Sequence, residues 1–168
     1  MSTRRGTVDL TTLIGSVELP NPVMTASGTS GHGAELAAYF DLAALGAVVV
    51  KSLSAEPWPG NPPPRLKPVS GGMLNSVGLQ GPGVAAWLSR DLPALEEARA
   101  RVVVSIWGRR VEEYAKAAAL IAAASDSIIA VEVNVSCPNL DDGREMFARS
   151  PTATADVGAA TAAAGLPR

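Results

Sequence analysis

The sequence predicts an α/β protein, a parallel sheet covered by helices. Three apolar runs, "AVVVKSL" (47–53), "RVVVSIWG" (101–108) and "SIIAVEVNVS" (127–136), are rich in β-branched residues and lack strict alternation. That is how strands buried on both faces read. Stretches with helical spacing of apolar residues lie between them, so the elements alternate. In addition, Ser27, Lys51, Ser105 and Asn134 all fall at or near the carboxyl ends of their strands.

The elements follow in order. Thr7 to Pro20 alternates apolar and polar residues around Gly15, which predicts a short β-hairpin. "NPVMTASG" gives a short first strand ending in small residues, and "GAELAAYFDLAAL" (33–45) predicts a helix stopped by Gly46. "AVVVKSL" is the second strand, followed by a long irregular stretch from Ser54 to Gly83, rich in proline and glycine. "VAAWLSRDLPALEEARA" (84–100) is helical, with Pro93 kinking or splitting it. "RVVVSIWG" is the third strand, "VEEYAKAAALIAAAS" (111–125) a helix, and "SIIAVEVNVS" the fourth strand. "ATADVGAATAAAG" (153–165) predicts a last helix ending at Gly165.

Right-handed crossovers leave an open doubly wound sheet or a barrel. An open sheet gathers its ligand at one crevice, whereas a barrel draws on many strand ends. Four strands contributing polar ends together favour the barrel. A TIM (β/α)8 barrel has eight strands in about 250 residues. This chain has 168 residues. The expectation is therefore the amino-terminal half of such a barrel, about four β/α units after a β-hairpin, with residues 1–168 as one partial domain truncated before its fifth strand. The closing "GLPR" reads as the approach to that strand.

Composition narrows the function. Net charge is −2 with no basic run, which argues against nucleic acid or an anionic membrane as the main partner. A single cysteine makes no internal disulfide and suits a reducing compartment. "MSTRRGTVDL" has two arginines but no apolar core behind them, so no signal peptide is expected. No apolar run reaches the roughly 18 residues of a membrane span. A soluble, cytoplasmic protein is the expectation.

Cys137 lies just past the fourth strand, in "VNVSCPN". A lone cysteine is commonly a small buried hydrophobe. At a strand end, partly ionised, it is also a nucleophile or base. Lys51 closes an apolar strand; it either reaches solvent or meets an anionic ligand. "GGMLNSVGLQGPG" (71–83) is either a flexible loop or a backbone cradle for a ligand. It lacks the Gly-Lys-Ser/Thr of a phosphate loop, and "GTSGHG" (28–33) lacks dinucleotide spacing. Asn75, Asn134 and Asn139 both donate and accept, which suits a heterocycle with alternating C=O and N–H. His32, the one histidine, receives no role, and no cluster has metal-ligand spacing.

With "NPVMTASG", "KSLSAEPWPGNPPPRL", "GGMLNSVGLQGPG" and "VNVSCPN" in this order over roughly residues 20 to 140, the chain resembles the amino-terminal half of dihydroorotate dehydrogenase. The resemblance implies a flavin (β/α)8 barrel that oxidises dihydroorotate to orotate in pyrimidine biosynthesis, with FMN as hydride acceptor. Cys137, where the quinone-using class has serine, implies class 1. The loop with "NPPPR" before it looks like subclass 1B, whose partner subunit carries FAD and a 2Fe-2S cluster. A homodimer joined to that electron-transfer subunit is the implied assembly.

Residue by residue, the resemblance implies Cys137 as catalytic base. It implies Lys51, Asn75, Ser76, Val77, Gly78, Leu79, Asn134 and Asn139 at the substrate. It implies Ala26, Ser27, Gly28, Lys51, Ser52, Ser105 and Asn134 at FMN. Ser105 departs from the family, which commonly places an asparagine there. The family's later residues, among them its phosphate-binding loops, fall beyond Arg168, so the 168-residue chain alone is expected to be inactive. The rival readings are a dihydropyrimidine dehydrogenase-like flavin domain, which shares a "SCP" loop, and a non-catalytic half-barrel.

Overall fold

The computed structural model describes residues 8–124, 126–136, 146–162 and 165–168. A β-hairpin opens it: β1 (Thr12–Ile14) and β2 (Val17–Leu19) pair antiparallel, with Leu13 opposite Glu18. Gly15 takes the turn at a φ of 58°, which glycine adopts without a steric penalty. The next segment joins the main sheet through a parallel bridge between Met24 and Ala47.

The main sheet runs β3 (Val48–Val49), β6 (Val102–Ile106), β7 (Ile128–Val133), all parallel. Val49 faces Val103, Val103 faces Ala130, and Ser105 faces Glu132. The sheet is thus ordered as its strands occur in the chain, each crossover bringing the next strand alongside the last. At the outer edge of β7, the Val131 N–H donates to the Pro167 carbonyl at 2.8 Å. The last described residues therefore lie where a further strand would pair.

The strand period of two splits the sheet into faces. On one face Val48, Val50, Val102, Val104, Ile106 and Val131 join the main core. Helices α1 (Val84–Arg90), α2 (Leu92–Glu97), α3 (Val111–Ala122) and α4 (Pro151–Ala162) supply its other wall, through Trp87, Leu95, Tyr114, Ile121 and Val157. Burying one such aliphatic side chain contributes about 1.5–3 kcal/mol. On the opposite face Ala47, Val49 and Val103 pack under Leu19 of the hairpin. The hairpin covers this inner face away from the strands' carboxyl ends and leaves those ends accessible.

Three expectations change. The helix expected over 33–45 is instead two 3-10 turns, Glu35–Ala38 and Leu42–Ala44. The Asp41 carboxylate accepts the Ala43 N–H at 3.0 Å and restarts the chain as an N-cap, which interrupts a continuous helix. The stretch from Ser54 to Gly83 is not wholly irregular. It holds an exposed antiparallel hairpin, β4 (Leu66–Val69) and β5 (Gly72–Asn75), turned on Gly71 at a φ of 76°. The helix expected to end at Gly165 begins earlier, at Pro151, and is described to Ala162. As expected, the helical stretch over 84–100 is split, with Pro93 in the first turn of α2.

Candidate active site

The strand ends meet in a network of hydroxyls and one amide. Ser52, just past β3, is its hub. Its Oγ lies 3.2 Å from Ser27 Oγ, 2.8 Å from Ser105 Oγ, and accepts from Asn134 Nδ2 at 3.0 Å. A serine has one proton to donate. Since Asn134 already donates to Ser52, that proton goes to Ser27 or to Ser105, and the other hydroxyl must donate back. Four segments far apart in sequence are thereby locked into one polar cluster.

Asn134 is held on every side. Its N–H continues the ladder to the Ile106 carbonyl at 2.9 Å, and its carbonyl accepts the Tyr114 hydroxyl at 2.7 Å. Its side-chain oxygen accepts the N–H and hydroxyl of Ser136 at 3.1 and 2.9 Å. With Ser52 on the nitrogen and Ser136 on the oxygen, the amide has one orientation.

Around this network opens a cavity of about 510 Å³, lined by Ser27, Gly28, Lys51, Ser52, Leu79, Asn134 and their neighbours. Six residues named from the sequence thus meet at one place. Lys51 leaves the end of β3 after its N–H donates to Gly31 at 2.9 Å. Its half-buried side chain also borders a second cavity of about 680 Å³, with His32, Trp58, Val77, Gln80 and Arg90. Among the described residues no carboxylate ion-pairs with Lys51. An ammonium so placed favours an anionic ligand. Burial first, and the Lys51 charge second, hold the His32 imidazole below its ordinary value of 6.5, so it is neutral at pH 7.

The glycine loop is strapped rather than loose. Trp58 and Gly81 exchange two backbone hydrogen bonds of 2.9 Å, and Trp58 Nε1 donates to the Gly78 carbonyl at 2.9 Å. Asn61 N–H donates to the Val77 carbonyl at 3.0 Å, and its side chain to Ser76. Gly78 has a φ of 74°, and a Cβ there would sit 2.9 Å from Asn61. Leu79 follows at a φ of 59°, rare for a branched residue, and it turns toward the cavity with Lys51.

Other sequence-predicted residues stand apart from this cavity. Ser105 is fully buried, and its hydroxyl faces the network through Ser52. Asn75 ends β5 exposed, Ser76 is engaged by Asn61, and Val77 borders the second cavity. Ala26 is exposed, its carbonyl accepting the Thr29 N–H at 3.0 Å. Cys137 and Asn139 lie outside the described residues. Sequence reading missed Glu132, Ser136 and Tyr114. Glu132, on β7, stands two positions before Asn134, so period two alone puts it on the inner face, where it borders the cavity. Ser136 sits two residues after Asn134, the spacing at which an asparagine side chain accepts from the chain ahead.

The donor set fits a planar heterocyclic cofactor and a small anionic substrate. Ser27, Ser52 and Asn134 offer hydroxyl and amide groups, Lys51 offers charge, and Gly28 leaves room for close approach. Among the described residues no group of three or more His, Cys, Asp or Glu gathers at metal-binding distance, and no helix is long and apolar enough to cross a membrane.

Residues 9–165 match the family model described as dihydroorotate dehydrogenase. Curated relatives named dihydroorotate dehydrogenase B (NAD(+)), catalytic subunit, are similar to this chain. The relative from Alkaliphilus metalliredigens is 46% identical over 144 residues, 86% of this chain and 47% of its own. That from Citrifermentans bemidjiense is 42% identical over 149 residues, 89% and 48% respectively. That from Thermoanaerobacter pseudethanolicus is 47% identical over 138 residues, 82% and 45%. The chain spans about half the length of the curated relatives it matches.

Proposed function

The chain belongs to the dihydroorotate dehydrogenase family, and on that premise we propose that it is part of a cytoplasmic, FMN-dependent enzyme oxidising dihydroorotate to orotate in pyrimidine biosynthesis. The observation that carries the reading is the convergence of Lys51, Ser52, Leu79 and Asn134 on one cavity at the strand ends. Its strands β3, β6 and β7, with the segment at Met24, are the first four of a TIM (β/α)8 barrel, and residues 1–168 are a partial barrel domain. The in-order parallel sheet supports this, as does the place of Pro167 beside β7.

FMN, when bound, supplies the acceptor for hydride. Ala26, Ser27, Gly28, Ser52 and Asn134 would hold it at the strand ends, with Ser105 behind Ser52. Lys51 would place its positive charge where negative charge develops and would serve substrate and cofactor together. Asn134 and Asn139 read the pyrimidine edge. Asn75, Ser76, Val77, Gly78 and Leu79 enclose the substrate, with the loop's N–H groups toward its carboxylate. Cys137 takes the proton from C5 of dihydroorotate; an ordinary cysteine pKa is about 8.5, so the site supplies the thiolate or works best at alkaline pH. The relatives' designation as catalytic subunits supports a separate partner subunit; the family resemblance is what assigns FAD and a 2Fe-2S cluster to that partner and a homodimer to the catalytic chains.

The test is a chimera in which residues 1–168 are joined to the carboxyl-terminal half of the Alkaliphilus metalliredigens relative and reconstituted with FMN. Anaerobic dihydroorotate should bleach its flavin absorbance. A yellow, folded chimera that dihydroorotate leaves unbleached refutes the reading.

A further inference from the structure

We propose that Tyr114 is a positioning residue for this site, fixing the point where the chain leaves β7 and the point where it returns. The inference deepens the reading above and rests on it, since its value is in placing Asn134.

Tyr114 is 1% exposed, in the first turns of α3. Its hydroxyl donates to the Asn134 carbonyl at 2.7 Å. Its ring meets that of Phe147 edge to face, centroids 5.5 Å apart and planes at 88°. Beside it the Ala148 N–H donates to the Val135 carbonyl at 3.1 Å, and Thr154 Oγ1 of α4 donates to the Phe147 carbonyl at 2.8 Å. Residues 134–135 and 147–148 are therefore tied to each other, and Tyr114 touches both. Gly108 makes room for this: a Cβ there would lie 3.0 Å from Tyr114 Cδ2 and 2.9 Å from Glu113 Cβ. The ring fills the core as phenylalanine would. The hydroxyl does something else, holding the main chain of the residue whose side-chain amide faces the cavity.

Tyr114→Phe isolates the hydroxyl, because it keeps the ring and the Phe147 contact. Two measurements decide. In the 168-residue chain, hydrogen exchange read by mass spectrometry should be about five- to tenfold faster at residues 134–136 and 148, the effect of losing one part-buried hydrogen bond. The amides of Val50 and Val102, bonded to Val103 and Ser127, should change less than about twofold, as expected of local opening. In the FMN-loaded chimera, Tyr114→Phe should weaken orotate binding by about fivefold, the same local loss, read by titration of the flavin spectrum. Unchanged exchange at 134–136, an equal rise at Val50 and Val102, or unchanged orotate affinity overturns the role. If the unsubstituted chimera binds no orotate, the proposed function fails, while the exchange measurement still decides whether Tyr114 holds Asn134.

Discussion

Asn134 donates its side-chain amide to the Oγ of Ser52 at 3.0 Å, tying the end of β7 to the end of β3 across 82 residues of sequence. Ser52 is nearly fully buried and Ser105 behind it fully so. The bond is part-buried at the edge of the cavity, and the cluster orders the cavity's floor.

Ser52→Ala should accordingly destabilise the chain. It leaves the fully buried Ser105 hydroxyl without its partner, at about 1–3 kcal/mol for a buried group left unsatisfied. Urea unfolding followed by circular dichroism measures it. A loss below about 0.5 kcal/mol, the scale of a neutral surface change, would mean the hydroxyl network adds nothing.

Lys51→Ala should weaken orotate binding and slow flavin reduction together in the FMN-loaded chimera, because on the proposed reading one cation serves both ligands. Orotate titration and stopped-flow absorbance separate the two quantities. If neither moves, Lys51 is a strand-end lysine reaching solvent.

His32 should give the fold a pH dependence. Its folded-state pKa lies below the unfolded value near 6.5. Below that value the unfolded chain binds more protons than the folded one, so stability falls as pH drops from 6.5 through the folded pKa and is recovered above 6.5. The urea midpoint of the wild-type chain should decline over this window, and that of His32→Gln should decline less. Parallel curves would show that the imidazole titrates alike in both states.

Gly78→Ala should strain the loop. Its φ of 74° costs an L-residue about 1–2 kcal/mol, and the new methyl would meet the Asn61 backbone at 2.9 Å. The variant should lose stability in urea by at least that much and bind orotate more weakly. Unaltered stability would mean the strap between 57–65 and 76–81 yields freely.

Much of this was legible in the sequence, for particular reasons. β3, β6 and β7 are apolar β-branched runs with one reading, and Pro93 announces the break between α1 and α2. The stretch over 33–45 misleads because its apolar spacing is helical while Asp41 caps a new turn within it. The β4–β5 hairpin is masked by Pro68 inside β4, tolerable only because that strand is an edge; "SGG" was the signal for its turn. Strand ends could be read as the face of the site. That Ser105 is buried behind Ser52, or that Tyr114 reaches Asn134, depends on cross-strand register and helix docking, which no local pattern encodes.

The 168-residue chain by itself should self-associate and hold FMN poorly. β7, which Pro167 covers at Val131, and the segment at Met24 are the two edges of the parallel sheet, and such edges pair with other chains. The inner face also carries an open, largely apolar cavity of about 570 Å³ beneath the hairpin. Gel filtration with excess FMN, followed at the flavin bands, tests this; a monodisperse yellow monomer that oxidises dihydroorotate would show the chain to be a complete enzyme.

Stopped-flow bleaching of the FMN-loaded chimera with and without Cys137→Ala tests most directly the proposed role of Cys137 as the base for dihydroorotate. Removing one positioned acid–base group costs about 10²- to 10⁴-fold in rate. The account predicts a slowing of that size with FMN still bound and orotate still titrating the flavin spectrum. Bleaching at the unsubstituted rate in the alanine variant would contradict it.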